Sequence, residues 1–409
     1  MSFLEDAPAS ADVVARENSL LLRVPQEAIR IRTTERPGFA ASFFQAVSLL
    51  MAERLRTSTG ALLQHLDREQ AAALPTRTTT HHHELQERIA RAKELLHDTD
   101  RLALKNQGVI PDARVALVRE QFSALVVELN RHLGEASSLD LVTREALGRW
   151  VQGELLPYIH VSRVAERMYA KPRGYAGDFL TIEYLYEDRG EGTGRLGPLI
   201  DRCFLDQPAA RAVRNRRGLL KEELIAAVEA HPDRTTRVTS LASGPAAEIF
   251  DVFDTLQTPE HLAATCIDID AKALAYVQHK RDPLGLQSQM RLERANLVYL
   301  ATGRAKLDLP PQDVVYSIGL IDYFNDQFVV GLLNYIHGLL APGGQVILGN
   351  FHPRNTSRGL MDHVLDWQLI HRDEADMHRL FSSSAFGARC ERIRFEAEGI
   401  NLFAFGRKR

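Results

Sequence analysis

The sequence predicts an α/β fold in its C-terminal half, because short apolar runs alternate there with amphipathic helices. Two runs end near Leu241 and Ile267, and five more are expected at 290–294, 313–318, 344–348, 388–395 and 401–405. Helical periodicity lies between them at 271–280, 327–340 and 360–369. The last two strands follow each other without a helix, so we predict a seven-stranded sheet, parallel except for the antiparallel last strand.

A tight turn follows the first of these strands. Residues 238–242 suit a buried parallel strand, and Pro245 suits the first position of the next helix, since a proline lacks the N–H that would be unpaired there. A ligand can therefore meet the positive end of that helix. Asp268 ends the second strand 24 residues after Gly244, close to the spacing at which an acid binds a ribose. The pattern predicts an adenosine ligand.

The composition of this turn indicates which adenosine ligand is bound. Dinucleotide sites need three glycines because two phosphates approach the backbone, whereas the stretch Ala242-Ser243-Gly244-Pro245-Ala246-Ala247 has one. A ligand that carries a small carboxylate instead of phosphates, such as S-adenosylmethionine (SAM), fits better. An ordinary strand, turn and helix without a ligand is the alternative.

The C-terminal half resembles class I SAM-dependent methyltransferases over roughly residues 235–409. Asp268 matches the ribose acid of that family, 313–319 matches its fourth strand, and Ala341-Pro342-Gly343-Gly344 is typical of the approach to its fifth. The first motif departs from the family at Ser240, Ala242 and Ala246. The resemblance implies a Rossmann-like domain that binds SAM through Ala242, Ser243, Gly244, Asp268, Ile269, Asn296, Leu297 and Ser317.

The composition is that of an ordinary soluble protein. With 409 residues, 45% hydrophobic and 25% charged, the chain can bury a sizeable core. A formal net charge of −3 attracts no nucleic acid in general, and no apolar run has the length of a membrane span. Three widely spaced cysteines and a start without a basic, apolar leader favour a reducing cytoplasm. The oligomeric state stays open.

Three regions are predicted along the chain: a small N-terminal module at 1–80, a helical region at 81–230 that covers the substrate, and the catalytic domain at 231–409. The first contains alternating strands at 20–34, a helix at 43–55 and a linker at 74–80. In the second, apolar periodicity predicts helices at 115–133 and 147–161.

Two clusters in the helical region are interpreted as solvated surfaces. The consecutive residues His81, His82 and His83 point in different directions on a helix, so we expect no metal site there. The basic cluster lacks interleaved aromatic residues and is interpreted as a solvated helix face rather than a nucleic-acid footprint. Its members are Arg211, Arg214, Arg216, Arg217 and Lys221.

The segment Lys171-Pro172-Arg173-Gly174-Tyr175-Ala176-Gly177-Asp178-Phe179 has a composition that excludes a regular helix or strand. One interpretation is a loop folded over the cofactor, in which Tyr175 and Asp178 bond polar atoms and Arg173 pairs with a carboxylate. A plain turn in which Asp178 caps the following helix is the alternative.

This loop ahead of a degenerate methyltransferase domain resembles the bacterial extracellular-factor proteins, the 3-hydroxy fatty acid methyl ester synthases (PhcB-like methyltransferases), over about residues 110–409. The resemblance implies an O-methyltransferase that converts a 3-hydroxy long-chain fatty acid carboxylate into a methyl ester used as a quorum-sensing signal. Its expected partner is that small molecule, with no nucleic acid and no integral membrane segment.

Residues after the fourth and fifth strands are candidates for the acceptor side. His352, Arg354 and Tyr323, together with Tyr175, are the candidate catalytic residues. Trp367 and His371 are placed on the following helix and, with Arg173, are the candidates for an acceptor slot. Surface, cap or core roles are alternatives for each.

Other functions are weighed at the same strand ends. Residues 317–320 lack the Asn/Asp-Pro-Pro-aromatic turn of nucleobase amino-methyltransferases, and no cysteine is near for a cytosine C5 enzyme. Two alternatives stay open. One is an O- or N-methyltransferase of another small metabolite with His352 as general base, and the other is a non-catalytic SAM-binding protein.

Overall fold

The computed structural model describes residues 76–409, with side chains from His81 onward. Seven strands in this part form one sheet. They are β1 (Thr236–Leu241), β2 (Leu262–Asp268), β3 (Met290–Arg294), β4 (Gln312–Ser317), β5 (Leu340–Phe351), β6 (Arg392–Phe395) and β7 (Asn401–Arg407).

The sheet has the order β3-β2-β1-β4-β5-β7-β6. The first five strands run parallel, with Leu241 opposite Ile267 in the pair of β1 and β2. Strand β7 is antiparallel to both β5 and β6. The predicted seven-stranded sheet and its antiparallel last strand are therefore confirmed. Because β1 and β4 are central and run in the same direction, their carboxyl ends meet at one edge of the sheet.

Helices precede the sheet and connect its strands. They are α1 (Thr76–Lys105), α2 (Asp112–Leu133), α3 (Leu141–Ile159), α4 (Arg163–Ala170), α5 (Phe179–Glu187), α6 (Gly197–Leu205), α7 (Pro208–Glu229), α8 (Ala247–Phe253), α9 (Ala271–Arg281), α10 (Leu297–Ala301), α11 (Asp326–Leu339), α12 (Arg358–His363) and α13 (Glu374–Ser382). Short 3₁₀ turns occupy Pro259–His261, Asp282–Leu284 and Ile321–Tyr323.

The helical region shares a hydrophobic core with the end of the sheet. Phe351, at the carboxyl end of β5, and Ile400, just before β7, belong to the same buried cluster as Leu129 of α2 and Val213 of α7. Burying such side chains contributes about 1.5–3 kcal/mol each. This shared core holds the helices over the edge where the parallel strands end.

Several predicted boundaries differ from the structure. Helix α8 begins at Ala247 rather than Pro245, because Ala242, Gly244 and Ala246 all have left-handed backbones that lengthen the turn. The helix predicted at 360–369 ends at His363, and Asp366 has a left-handed backbone with φ of 50°. Trp367 and His371 therefore lie on a segment without regular secondary structure, not on a helix.

The N-terminal predictions fall mostly outside the described residues. The strands at 20–34 and the helix at 43–55 lie there, as does most of the module assigned to 1–80. Of the linker predicted at 74–80, residues from Thr76 onward are helical. The chain divides after Pro75, and Thr76–Arg409 forms one unit.

The histidines at the start of the helical region are more buried than the solvated reading predicted. His82 packs edge-on against Trp150, and Nδ1 of His81 lies 2.6 Å from Nδ1 of His132. Arg131 faces the other ring nitrogen of His132 at 2.9 Å. A carboxylate oxygen of Glu84 lies 3.2 Å from the same nitrogen. These histidine contacts stabilise the packing of α1 against α2 and α3.

Candidate functional site

The turn after β1 is held in an unusual backbone path. Gly244 has φ of 52°, in the left-handed region that glycine adopts at low cost. Its N–H donates to Oδ2 of Asp268 at 2.9 Å, so the turn is tied to the end of β2. The hydroxyl of Ser243 is buried and has no partner among the described residues. The turn thus contains one buried polar atom without a hydrogen-bond partner.

Asp268 closes this corner of the site. It is 5% exposed, and its Oδ1 accepts from the N–H of Asp270 at 2.9 Å. Burial raises the pKa of Asp268, while the two backbone N–H groups oppose that rise. Each carboxylate oxygen has accepted one bond and retains a lone pair for a ligand hydroxyl.

A cavity of about 410 Å³ opens between these residues and the helical region. Its size lies in the range of small-molecule sites. The turn, Asp268 and the exit of β4 form one side, and side chains of α5 and α7 form the other. The sequence-predicted residues that line it are Tyr175, Ala242, Ser243, Gly244, Asp268, Ile269, Asn296, Leu297, Tyr323 and Trp367.

Two further predicted cofactor residues have structural partners. Asn296 lines the cavity, but its Oδ1 also caps α10 by accepting from the N–H of Val298 at 2.9 Å. The buried Ser317 donates to the carbonyl of Leu241 at 3.0 Å and does not line the cavity. Ser317 therefore couples β4 to β1 rather than contacting the open space.

The loop between α4 and α5 contributes Tyr175 to the cavity. Its ring meets Tyr323 edge-on at 6.3 Å between centroids, and burial raises the pKa of its hydroxyl. A methyl group on Gly177 would lie 2.8 Å from the hydroxyl of Tyr323 and 3.1 Å from Trp367. Glycine is required there because the backbone approaches these two side chains closely, and the loop packs directly on Tyr323 and Trp367.

Asp178 and Arg173 of this loop are engaged outside the cavity. Asp178 is fully buried as the cap of α5, and Arg167 donates to both of its oxygens at 2.6 and 2.8 Å. Arg173 pairs with Asp270 through two hydrogen bonds. The structure therefore corrects both expectations: Asp178 does not face the cofactor side, and Arg173 is not free for an acceptor. Through this ion pair, Arg173 instead fixes the loop to the residues after β2.

Tyr323 and Trp367 form the aromatic wall of the cavity. The indole Nε1 of Trp367 donates to the Tyr323 hydroxyl at 2.8 Å. Burial raises the pKa of Tyr323. Although Trp367 is outside the helix predicted for it, the irregular segment after α12 brings it to the cavity.

Three predicted acceptor-side residues contact other side chains of the protein. His352 bonds Glu374 at 3.0 Å, and the half-exposed Glu374 also faces Arg354, whose side chain is 63% exposed. His371 contacts Asn355 at 3.2 Å, and burial lowers its pKa to about 4. None of the three lines the cavity. Side chains alternate along β5, so Phe351 takes the cavity side and His352 the other.

Three buried charged residues that line the cavity were not predicted as site residues: Arg216, Glu248 and Asp322. Glu248 accepts from the Tyr316 hydroxyl at 2.7 Å, and Asp322 accepts from the N–H of Phe351 at 2.6 Å. The solvated interpretation of the basic cluster is wrong for Arg216, which is 5% exposed. The only signal in the sequence was its helical spacing from Ala209 and Val213.

The environment of Asp322 predicts a pH-dependent stability. Burial raises its pKa to about 6 from 3.8. The folded state therefore holds a proton that unfolding releases. This proton binding stabilises the fold fully below pH 3.8, and the stabilisation is lost as the pH rises through about 6. Because an asparagine does not ionise, Asp322→Asn removes this decrease in folding stability. Between about pH 5 and pH 7.5 the variant should gain about 1.4 kcal/mol relative to the parent.

Melting temperatures of both proteins across that range measure the effect. The gap between variant and parent should widen toward alkaline pH in favour of Asp322→Asn. A gap that stays constant with pH would show that the carboxyl titrates normally.

The order of the strands, the glycine turn after β1 and the acid at the end of β2 around one cavity define a class I methyltransferase fold. Residues 174–402 match the family described as "Putative methyltransferase" (Methyltransf_20). The match spans more than half of the chain, and the chain belongs to this family.

Solved structures are similar at low identity. A protein from Bordetella parapertussis, described as a possible exported protein, has 20% identity and a TM-score of 0.50, covering 71% of this chain and 96% of its own. Magnesium protoporphyrin IX methyltransferase from Synechocystis PCC 6803, with bound SAM, has 13% identity and a TM-score of 0.39, covering 59% and 95%. N-methyltransferase NodS from Bradyrhizobium japonicum WM9 has 13% identity and a TM-score of 0.33, covering 50% and 89%. No curated protein matches the chain.

Within residues 76–409, every helix is too short or too polar to cross a bilayer.

Proposed function

We propose that this protein is a SAM-dependent O-methyltransferase that forms the methyl ester of a 3-hydroxy long-chain fatty acid. One observation carries the proposal: a single cavity joins the glycine turn and Asp268 to an aromatic and apolar wall that includes Phe351, Trp367 and Leu369. The polar side suits a nucleoside and the apolar side suits a hydrocarbon chain.

SAM fits the polar side by the chemistry of its lining. Asp268 retains acceptor capacity for the two ribose hydroxyls, and Asn296 and Leu297 border the space beyond it for adenine. Ser243 and Gly244 line the cavity at the turn, where the methionine part would lie. SAM supplies an electrophilic methyl group. The residues of this chain position it and exclude water.

Methyl transfer is an in-line displacement, in which the acceptor oxygen bonds the methyl carbon as the carbon–sulfur bond breaks. Alignment of the three atoms supplies much of the rate. A carboxylate acceptor needs no general base. The residues that line the cavity include no histidine, and Glu248 and Asp322 already accept hydrogen bonds from the protein. This lining favours an acceptor that arrives ionised, and it weakens the alternative in which His352 acts as a base.

The apolar wall continues away from the turn. A second, small apolar cavity shares Val213, Phe351 and Trp367 with the main one and extends toward Leu360 and Phe204. Its volume of about 30 Å³ holds little more than a water molecule, so a long chain must displace side chains to enter it. The direction of this apolar path supports a hydrocarbon acceptor.

The acceptor class also rests on the resemblance to 3-hydroxy fatty acid methyl ester synthases, carried by the loop from Lys171 to Phe179. In the structure this loop adds Tyr175 to the cavity and is latched by Arg173. We further propose, on this resemblance, that the ester serves as a quorum-sensing signal and that the enzyme acts in the cytoplasm.

Mass spectrometry tests the proposal. The purified protein, SAM and a series of 3-hydroxy fatty acids should yield the methyl esters with equal release of S-adenosylhomocysteine. Unsubstituted acids of the same length test the role of the 3-hydroxyl group. S-adenosylhomocysteine release only with other metabolites would replace the acceptor, and tight SAM binding without turnover on any acceptor would make the protein a SAM-binding module.

A further inference from the structure

Arg216 on α7 is a buried cation that forms no ion pair within the described residues, and the hydroxyl of Tyr186 is its polar neighbour. Its side chain borders the cavity and is 5% exposed, and its Nε atom has no hydrogen-bond partner among the described residues. The neighbouring Arg217 is different, since it makes two hydrogen bonds to Asp251 at 2.6 and 2.7 Å. A buried guanidinium without a matched carboxylate is costly unless a ligand completes it.

The guanidinium lies against the exit of β4. A methyl group on Gly319 would stand 3.1 Å from Nη1 and 3.4 Å from Nη2 of Arg216. The charge of Arg216 also opposes the rise that burial causes in the pKa of Glu248 and of Asp322. Arg216 therefore sits at the strand ends where the transferred methyl group and its acceptor must meet.

Helix α7 connects this charge to the apolar path. Ala209, Val213 and Arg216 are spaced four and three residues apart and so lie on one face of the helix. Ala209 and Val213 line the small apolar cavity, while Val213 and Arg216 line the main one. Along a single helix face, the surface changes from apolar to cationic as it reaches the strand ends. That is the polarity of a fatty acid, with its chain on Val213 and its carboxylate on Arg216.

We infer that Arg216 binds the carboxylate of the acceptor and orients one of its oxygens toward the methyl group of SAM. This inference rests on the proposed function and names the residue that selects its substrate class. Arg173, which the sequence favoured for this role, is occupied by Asp270. Arg216 bonds one oxygen of the carboxylate, and the other oxygen keeps its lone pair for attack on the carbon. No proton is transferred, and S-adenosylhomocysteine leaves.

Binding measurements with a charged and a neutral ligand of the same shape test this role. A 3-hydroxy fatty acid and its primary amide are titrated by calorimetry into the protein saturated with S-adenosylhomocysteine. The parent should prefer the acid by at least about tenfold, because a charge-assisted hydrogen bond is lost with the amide. In Arg216→Gln this preference should fall to within about twofold while affinity for SAM stays near that of the parent.

Arg217→Gln is the matched control, since it removes a charge from the next position of the same helix and should keep the preference for the acid. If Arg216→Gln melts well below the parent, Arg216→Lys retains the charge and should keep part of the preference. A full preference in a folded Arg216→Gln protein, or a tenfold loss of SAM affinity with the preference intact, overturns the inference. A parent that forms the methyl ester but does not distinguish acid from amide also overturns the inference, whereas a parent that neither binds nor methylates the acid overturns the proposed function.

Discussion

Replacing Gly244 with valine should abolish measurable SAM binding, a loss of more than about a hundredfold in affinity. Gly244 has φ of 52°, and a β-branched residue is strained in that left-handed region. An added Cβ would meet only Phe179, at 3.9 Å, and otherwise open space, so the valine methyls would enter the cavity. Strain and lost volume both act against the ligand. Calorimetric titration with SAM measures the effect.

Gly285→Val is the matched control for backbone strain. Gly285 also has a left-handed backbone, with φ of 71°, and an added Cβ there meets nothing within 4 Å. It lies between α9 and β3, away from the lining of the cavity. This variant should bind SAM like the parent. A Gly244→Val protein that melts like the parent and still binds SAM within about tenfold would place the ligand elsewhere.

The second large effect is expected at Asp268. Asp268→Ala should weaken SAM binding by roughly tenfold to more than a hundredfold, since a hydrogen bond to a charged group contributes about 1.5–3 kcal/mol. The substitution also frees the N–H groups of Gly244 and Asp270, so the turn loses its tie to β2. Calorimetry with SAM and a melting curve of each variant separate affinity from folding.

Asp268→Asn is the milder substitution at the same position. Its amide oxygen can replace one of the two carboxylate oxygens, so its affinity for SAM should fall between those of the parent and Asp268→Ala. Unchanged SAM affinity in a folded Asp268→Ala protein would remove the residue from the ribose site.

Much of the sheet could be predicted because its signals are local. The strand predicted at 290–294 coincides with β3, and 401–405 lies within β7. Gly244 and Asp268 stand at strand ends, and the sheet brings strand ends together whatever the rest of the chain does. This is why their proximity could be predicted from order along the chain, while the hydrogen bond between them is seen only in the structure.

The acceptor side could not be predicted in the same way. His352 was favoured because it follows β5, yet one step of strand alternation turned it toward Glu374 and left Phe351 on the cavity side. Arg173 stands in the loop at the cavity, but whether it is free depends on Asp270, which is 97 residues away. The choice between these states is made by contacts distant in sequence.

By itself the sequence determined the α/β class, the order of elements, the turn after β1 and the acid at the end of β2. Hydrophobic periodicity and turn-forming residues are properties of neighbouring positions along the chain. Only the tertiary structure decided which charges face the cavity. Arg216 and Arg217 are adjacent and chemically identical, yet Arg216 lines the cavity at the strand ends and Arg217 bonds Asp251. Burial and partnership depend on what packs against the helix, and this information is not contained in the helix itself.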